Sequence, residues 1–256
     1  MNIQHPLKIT WNLISNTFVS TIRSRFFSLF AIFSFVLLYA SVLGSMLSIS
    51  HEERVLADIS LLLIELLCFV YAVFQVSTTF SDEIRNKNIY LILSRPVPRH
   101  ICLIGKELGV VLSVAFITFV LSIMAAIVIK TRGLDIPPLF FWAAAGSFIK
   151  ISILVFFAFL LSLISSTNIT AFLMSALLYV LGHVTSQLGP LMQKATGIKF
   201  LLLKTCAIVF PNLNLYSARE FAAEGCPFTA MSLLAAILWI AAAYALAAWL
   251  FSRKEF

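Results

Sequence analysis

LADISLLLIELLCFVYAVFQVSTTF, residues Leu56–Phe80, is 25 residues long and apolar but for Asp58 near one end, Glu65 near the middle and a polar fringe at the other. As a helix rising ~1.5 Å per residue, a run of this length covers the ~30 Å hydrocarbon core of a bilayer. Backbone groups in lipid must pair within their own segment, so such a run is a helix. Short segments alternating apolar and polar residues, the mark of an outer-membrane barrel, are absent from the chain. Glu65 is the exception that needs a reason. A charge at this depth costs a few kcal/mol by insertion scales and must face protein or a wet cavity.

Five further runs of the same kind lie outward from it: Phe26–Ile49, Leu103–Ile129, Leu139–Ile164, Ile169–Leu188 and Thr229–Phe251. Across all 256 residues 61% are hydrophobic and 11% charged, a balance that a water-soluble fold of this size could not hide. The expected fold is therefore an all-α integral membrane protein, one domain over residues 1–256 with six transmembrane helices. The first run starts too late, is too long for the apolar part of a cleaved signal peptide and has no Ala-x-Ala site after it, so it is expected to remain as a span. No segment outside the spans is large enough to carry a core of its own.

Lys and Arg set the expected orientation. With six spans both termini share a side, and that side holds Lys8, Arg23, Arg25, Arg85, Lys87, Arg95, Arg99 and Lys106, with Arg253 and Lys254 at the end. The short loops opposite hold Arg54, Lys130 and Arg132. Both termini are expected in the cytoplasm. The net charge of +7 follows from this inner bias. No basic cluster sits on a soluble module, so no nucleic-acid partner is expected.

Lys150 interrupts the fourth run as Glu65 interrupts the second. Both runs are expected to cross from outside to inside. Counted from their outer ends, the two residues lie within ~3 Å of the same depth. This depth permits an intramembrane pair of Glu65 with Lys150, either as a polar feature of a path or as a structural ion pair; the alternative is that Lys150 snorkels or the two spans are offset.

The connection between the second and third runs, SDEIRNKNIYLILSRPVPRHICLIGKELG at Ser81–Gly109, is dense in charge and broken by proline. Ser81 is a good N-cap with Asp82 and Glu83 in the first turn. Pro96 and Pro98 prevent one continuous helix through to the next span. The order of features is an acidic Glu83, an apolar Ile89 to Leu93, the hinge Ser94-Arg95-Pro96-Val97-Pro98-Arg99, and Gly105-Lys106.

That series resembles the first cytoplasmic loop of ABC-2-type transporter permeases. One departure is Asn86-Lys87-Asn88, where the family often carries Gly-Thr. The resemblance implies the transmembrane subunit of a bacterial exporter in the cytoplasmic (inner) membrane. It implies a homodimer or heterodimer of permease subunits, bathed by membrane lipids and driven by separate ATP-binding subunits. Asp82, Glu83, Arg85, Arg95, Pro96 and Arg99 would form the surface facing that ATPase, with Glu83 an acidic contact and Arg99 a polar contact or hinge anchor. ATP and magnesium would sit on the partner. This chain has no G-x-x-x-x-G-K-[ST], because Gly105-Lys106 lacks both the upstream glycine and the following Ser or Thr. No cofactor is expected on it, and its scattered histidines lack metal-ligand spacing. It is not expected to be an enzyme.

Two further segments fit the same resemblance. In Pro6–Arg25 the apolar residues Leu7, Trp11, Ile14, Phe18 and Ile22 recur at helical spacing, as in an interfacial amphipathic helix. Between the last two spans, Lys199 to Phe210 is apolar but too short to cross, which suits a re-entrant or interfacial helix on the outer side. Cys206, within this piece, and Cys226, after it, both fall on the expected outer side, where an oxidising compartment would permit a disulfide between them; two free thiols are the alternative. Two other functional classes stay open. A membrane-embedded lipid-modifying enzyme would need polar residues converging within the spans, for which Glu65, Lys150 and His183 are the strong candidates. A non-transporting membrane scaffold would need none.

Overall fold

The computed structural model describes residues 6–45, 52–80, 99–185, 197–217 and 230–253. The described residues form helices and short connections, with no strand among them. In chain order these are α1 (Pro6–Ile22), α2 (Arg25–Ser45), α3 (Glu52–Gln75, continued by a π-helical turn Val76–Phe80), α4 (Arg99–Thr131), α5 (Phe140–Ile164), α6 (Asn168–Val184), α7 (Ile198–Val209), a 3₁₀ turn (Leu213–Tyr216) and α8 (Ala230–Arg253). Five of them, α2, α3, α4, α5 and α8, contain segments long and apolar enough to cross a membrane, with mean hydropathy from 2.2 to 2.7. The chain is a multi-pass helical membrane protein.

The central helices are α3, α4 and α5, while α2 and α8 lie at the periphery and leave apolar side chains such as Phe33, Val36, Leu238 and Trp249 exposed. Without water, apolar burial does not drive helices together, so close packing and polar contacts must. The α2–α3 hairpin shows both. Phe26 stacks on Phe74 with ring centroids 4.1 Å apart, and Phe30 lies against Tyr71 at 5.3 Å. At the far end of the hairpin, Ser41 and Ser60 hydroxyls meet at 3.5 Å. Cys68 Sγ meets Thr118 Oγ1 at 3.3 Å where α3 crosses α4.

The helix ends carry local reasons. α4 stops at a Gly-capped turn, in which Gly133 takes φ +73° and donates to the Lys130 carbonyl while Leu134 donates to that of Ile129. Pro137 and Pro138 follow before α5 begins. α6 starts at a capping box, with Thr170 N donating to Thr167 Oγ1 and Thr167 N donating to Thr170 Oγ1.

α1 is shorter than the Pro6–Arg25 of the sequence reading. It ends at Ile22, and a turn at Arg23 and Ser24 leads directly into α2. It runs alongside the first turns of α4, which it contacts more than any other element. Gly105 and Gly109 of α4, one turn apart, let the helices approach closely: a Cβ at Gly105 would lie 2.8 Å from Leu13 Cβ, and one at Gly109 2.6 Å from Thr17 Cβ. The side turned to the bundle thus carries Leu13, Thr17 and the fully buried Thr21, with Phe18 of the apolar stripe edge-on to Phe116 of α4 at 6.1 Å, while Trp11 is 66% exposed. Thr21 Oγ1 accepts from Gln75 Nε2 at 3.3 Å, tying α1 to α3 as well. The reason is steric, because a glycine groove selects a side chain of fitting shape, and hydrophobicity is secondary. Lys106 and Glu107, which the sequence grouped with the charged connection, are buried.

Candidate functional site in the helix bundle

Asp58, Leu62 and Glu65 recur at i, i+4 and i+7 along α3 and so share one face. α5 brings Lys150 to that face. Its side chain is fully buried, and its Nζ donates to Glu65 Oε1 at 2.7 Å. Lys150 lies 14 residues before the end of α5 and His183 lies 15 residues after the start of α6. The two helices are joined by the short connection 165–167, so His183 returns to the level of Lys150. The distance between Lys150 Nζ and His183 Nε2 is 3.3 Å.

The hydrogen bonds fix the histidine tautomer. Nδ1 lies 2.9 Å from the Tyr179 carbonyl, which can only accept, so Nδ1 carries the proton. Nε2 lies 3.3 Å from Lys150 Nζ and 3.2 Å from Glu65 Oε1, accepting from the first in the neutral ring and donating to the second in the charged one. Tyr179, one turn earlier on α6, donates its hydroxyl to Glu65 Oε1 at 2.7 Å. From the 3₁₀ segment, Ser217 Oγ accepts from Lys150 at 2.8 Å and Asn214 Nδ2 donates to the His183 carbonyl at 3.0 Å. The 3₁₀ turn is held in place by Leu213, fully buried against Gly182 of α6, and by Tyr216, whose hydroxyl donates to the Ser232 carbonyl at 2.8 Å. Leu213 and Tyr216 thus pin the segment that delivers Ser217.

Every direct contact to the glutamate runs to one oxygen. A buried pair of this kind needs such added hydrogen bonds, since the loss of water otherwise exceeds the Coulombic gain. Beside it lies an open cleft of about 440 Å³, walled by Leu61, Leu62 and Leu66 on one side and by polar groups including Glu65, Tyr179 and Asn214 on another. Asp58 also lines it and is exposed. The arrangement can hold a charge at depth and present a polar wall to a molecule that enters the cleft.

Of the residues singled out in the sequence, Glu65 and Lys150 are brought together, and His183 joins them. Asp82, Glu83, Arg85, Arg95 and Pro96 lie outside the described residues. Arg99 is the first residue of α4. Cys206 lies on α7, whereas Cys226, and with it any pairing of the two, lies outside the described residues. Tyr179, Asn214 and Ser217 were not anticipated. The i, i+4 spacing of Tyr179 and His183 on an otherwise apolar helix was a usable sign for one of them; Asn214 and Ser217 carry no such sign. Among the described residues no group of His, Cys, Asp and Glu is arranged to hold a metal ion. No protein-family model matches the sequence, and no curated protein matches it.

Proposed function

We propose that this chain is the transmembrane subunit of an ABC-2-type exporter in a bacterial cytoplasmic membrane, driven by a separate ATP-binding subunit. The observation that carries the reading is the ordered series Glu83, Ile89–Leu93, Ser94–Arg99 and Gly105-Lys106 in the connection between two long apolar helices, α3 and α4. The packing adds to it. Gly105 of that series is where Leu13 of α1 seats, so a displacement of the connection passes to α1 through a tight contact. Two such chains would form the permease, with ATP and magnesium on the partner subunits.

The reading takes α6 as the sixth crossing. Its 17 residues give a length of ~26 Å, near the hydrocarbon thickness. With six crossings both termini lie on the cytoplasmic side, and α7 with the 3₁₀ turn forms the re-entrant outer segment. In a background without native cysteines, Gln193→Cys is expected to react with an impermeant maleimide in intact cells, and Asn88→Cys is not. The reverse pattern would turn the connection away from any cytoplasmic ATPase.

The decisive test is capture. The tagged chain, purified from its host, is expected to bring down a P-loop ATPase whose hydrolysis depends on this subunit. The double variant Glu83→Ala, Arg99→Ala is expected to insert with stability changed by no more than about 0.5 kcal/mol, since both residues fall in the sequence between the two long apolar runs. Coupled ATP hydrolysis is expected to fall several-fold. Parent-like assembly and turnover in the double variant would leave the connection without a motor-facing role.

The 2.8 Å contact between Lys150 Nζ and Ser217 Oγ favours a second reading, a membrane-embedded hydrolase using a serine nucleophile and a lysine base. An ammonium that donates to both Glu65 and Ser217 has no lone pair with which to take the serine proton, which weighs against it. Labelling of Ser217 by a fluorophosphonate would favour this reading over transport.

A further inference from the structure

The hydrogen bonds around the cleft are lopsided. Its donors are directed at the protein: Lys150 Nζ at Glu65 and Ser217, the Tyr179 hydroxyl at Glu65, Asn214 Nδ2 at the His183 carbonyl, and Ser147 Oγ at the Ala143 carbonyl. The acceptors are not used up in the same way. Lys150, Tyr179 and His183 all meet Glu65 at Oε1, and Oε2 has no hydrogen bond among the described residues. The glutamate side chain keeps 16% of its surface, so this oxygen is not sealed in. Asp58, two turns along the same face, is exposed and makes no ion pair among the described residues. Beside these acceptors, Leu62 and Leu66 are 50% and 45% exposed.

We propose that this cleft binds an amphiphile with a primary ammonium head. The ammonium donates to Glu65 Oε2, the Asp58 carboxylate draws the cation to the cleft, and the apolar tail lies over Leu62 and Leu66. The Glu65 charge is balanced by Lys150 on its other oxygen, so Asp58 leaves the cleft with a net negative wall. An anionic head meets carboxylates and no directed donor. An alcohol head offers one donor and no charge. The proposal deepens the exporter reading by giving its path a ligand class, and rests on that reading only for the ligand's being moved.

The test uses the full chain in phosphatidylcholine nanodiscs, without nucleotide or ATPase, and a diazirine-bearing dodecylamine. Cross-linking is expected on the peptide that contains Leu62 and Leu66. Dodecylamine is expected to displace the probe at a concentration about ten-fold below dodecanol or dodecanoate, the ratio of a charge-assisted contact to a lost one. Asp58→Lys, at an exposed position that folding does not depend on, is expected to weaken displacement by about ten-fold. Glu65→Gln is expected to abolish it. Equal displacement by all three competitors, labelling confined to other helices, or an unchanged Asp58→Lys variant would overturn the proposal. Loss of labelling in nanodiscs containing phosphatidylethanolamine would identify a bilayer headgroup as the occupant; retained labelling would identify a free amine. Binding without coupled ATP hydrolysis would sink the exporter reading alone, and coupled hydrolysis without binding would sink only the ligand class.

Discussion

Lys150→Ala is expected to destabilise the folded protein by about 3 to 5 kcal/mol, because it strands Glu65 in the bundle without its cation. The side chain lost is fully buried and makes the 2.7 Å contact to Glu65 together with the 2.8 Å contact to Ser217. Glu65→Ala is expected to cost about as much, since it leaves the buried ammonium facing His183 and Ser217 alone. The double variant Glu65→Gln, Lys150→Met is expected to recover most of the loss, because it removes both charges and keeps similar volumes. The measurement is the unfolding midpoint of detergent-solubilised protein, with the yield of monodisperse material as a second readout. Single changes that add to give the double would mean that the two residues act independently.

Gly109→Leu is expected to detach α1 from α4. A Cβ at this position meets Thr17 Cβ at 2.6 Å and the Ile14 carbonyl at 3.1 Å, and the second is backbone that cannot rotate away. Overpacking of a tight contact costs about 1 to 3 kcal/mol, comparable with what one helix–helix contact supplies, so α1 moves before the bundle unfolds. Spin labels on Asn16→Cys and Leu112→Cys, which lie on exposed positions of the two helices, are expected to give a narrow distance distribution in the parent. The distribution is expected to broaden and lengthen in Gly109→Leu. Gly109→Ala is expected to show a smaller change, relieved by Thr17→Gly. An unaltered distribution in Gly109→Leu would mean that the glycine groove does not hold α1.

Hydropathy made the helices legible because lipid imposes one simple rule on length and polarity. The spans expected at Leu56–Phe80 and Leu139–Ile164 coincide closely with α3 and α5. The rule reads only the part of a helix that lies in lipid. α4 begins at Arg99, four residues before the apolar run. α6 follows the run expected from Ile169 as far as Val184, and 186–188 of that run lie outside the described residues. The depth of Glu65 and Lys150 was countable from helical rise. Their neighbours were not, since Ser217 comes to Lys150 from 67 residues away, through a segment whose composition says nothing of where it docks. The apolar stripe of α1 was legible from periodicity, but its seat on α4 was not, since Leu13 and Thr17 meet Gly105 and Gly109 through the shape of the groove opposite.

The spacing of the ion pair along the chain bears on how the protein is made. Glu65 precedes Lys150 by 85 residues, Tyr179 by 114 and His183 by 118. Translation proceeds from the N-terminus, so α3 leaves the ribosome with a carboxyl that has no counter-charge until α5 has been synthesised. Its leucine-rich flanks must carry it into the bilayer alone. The last pieces, α6 and the turn at Leu213–Tyr216, close over the pair from the side. The buried cluster thus completes itself in chain order, with the counter-charge from α5 first and the hydroxyl and imidazole of α6 after it.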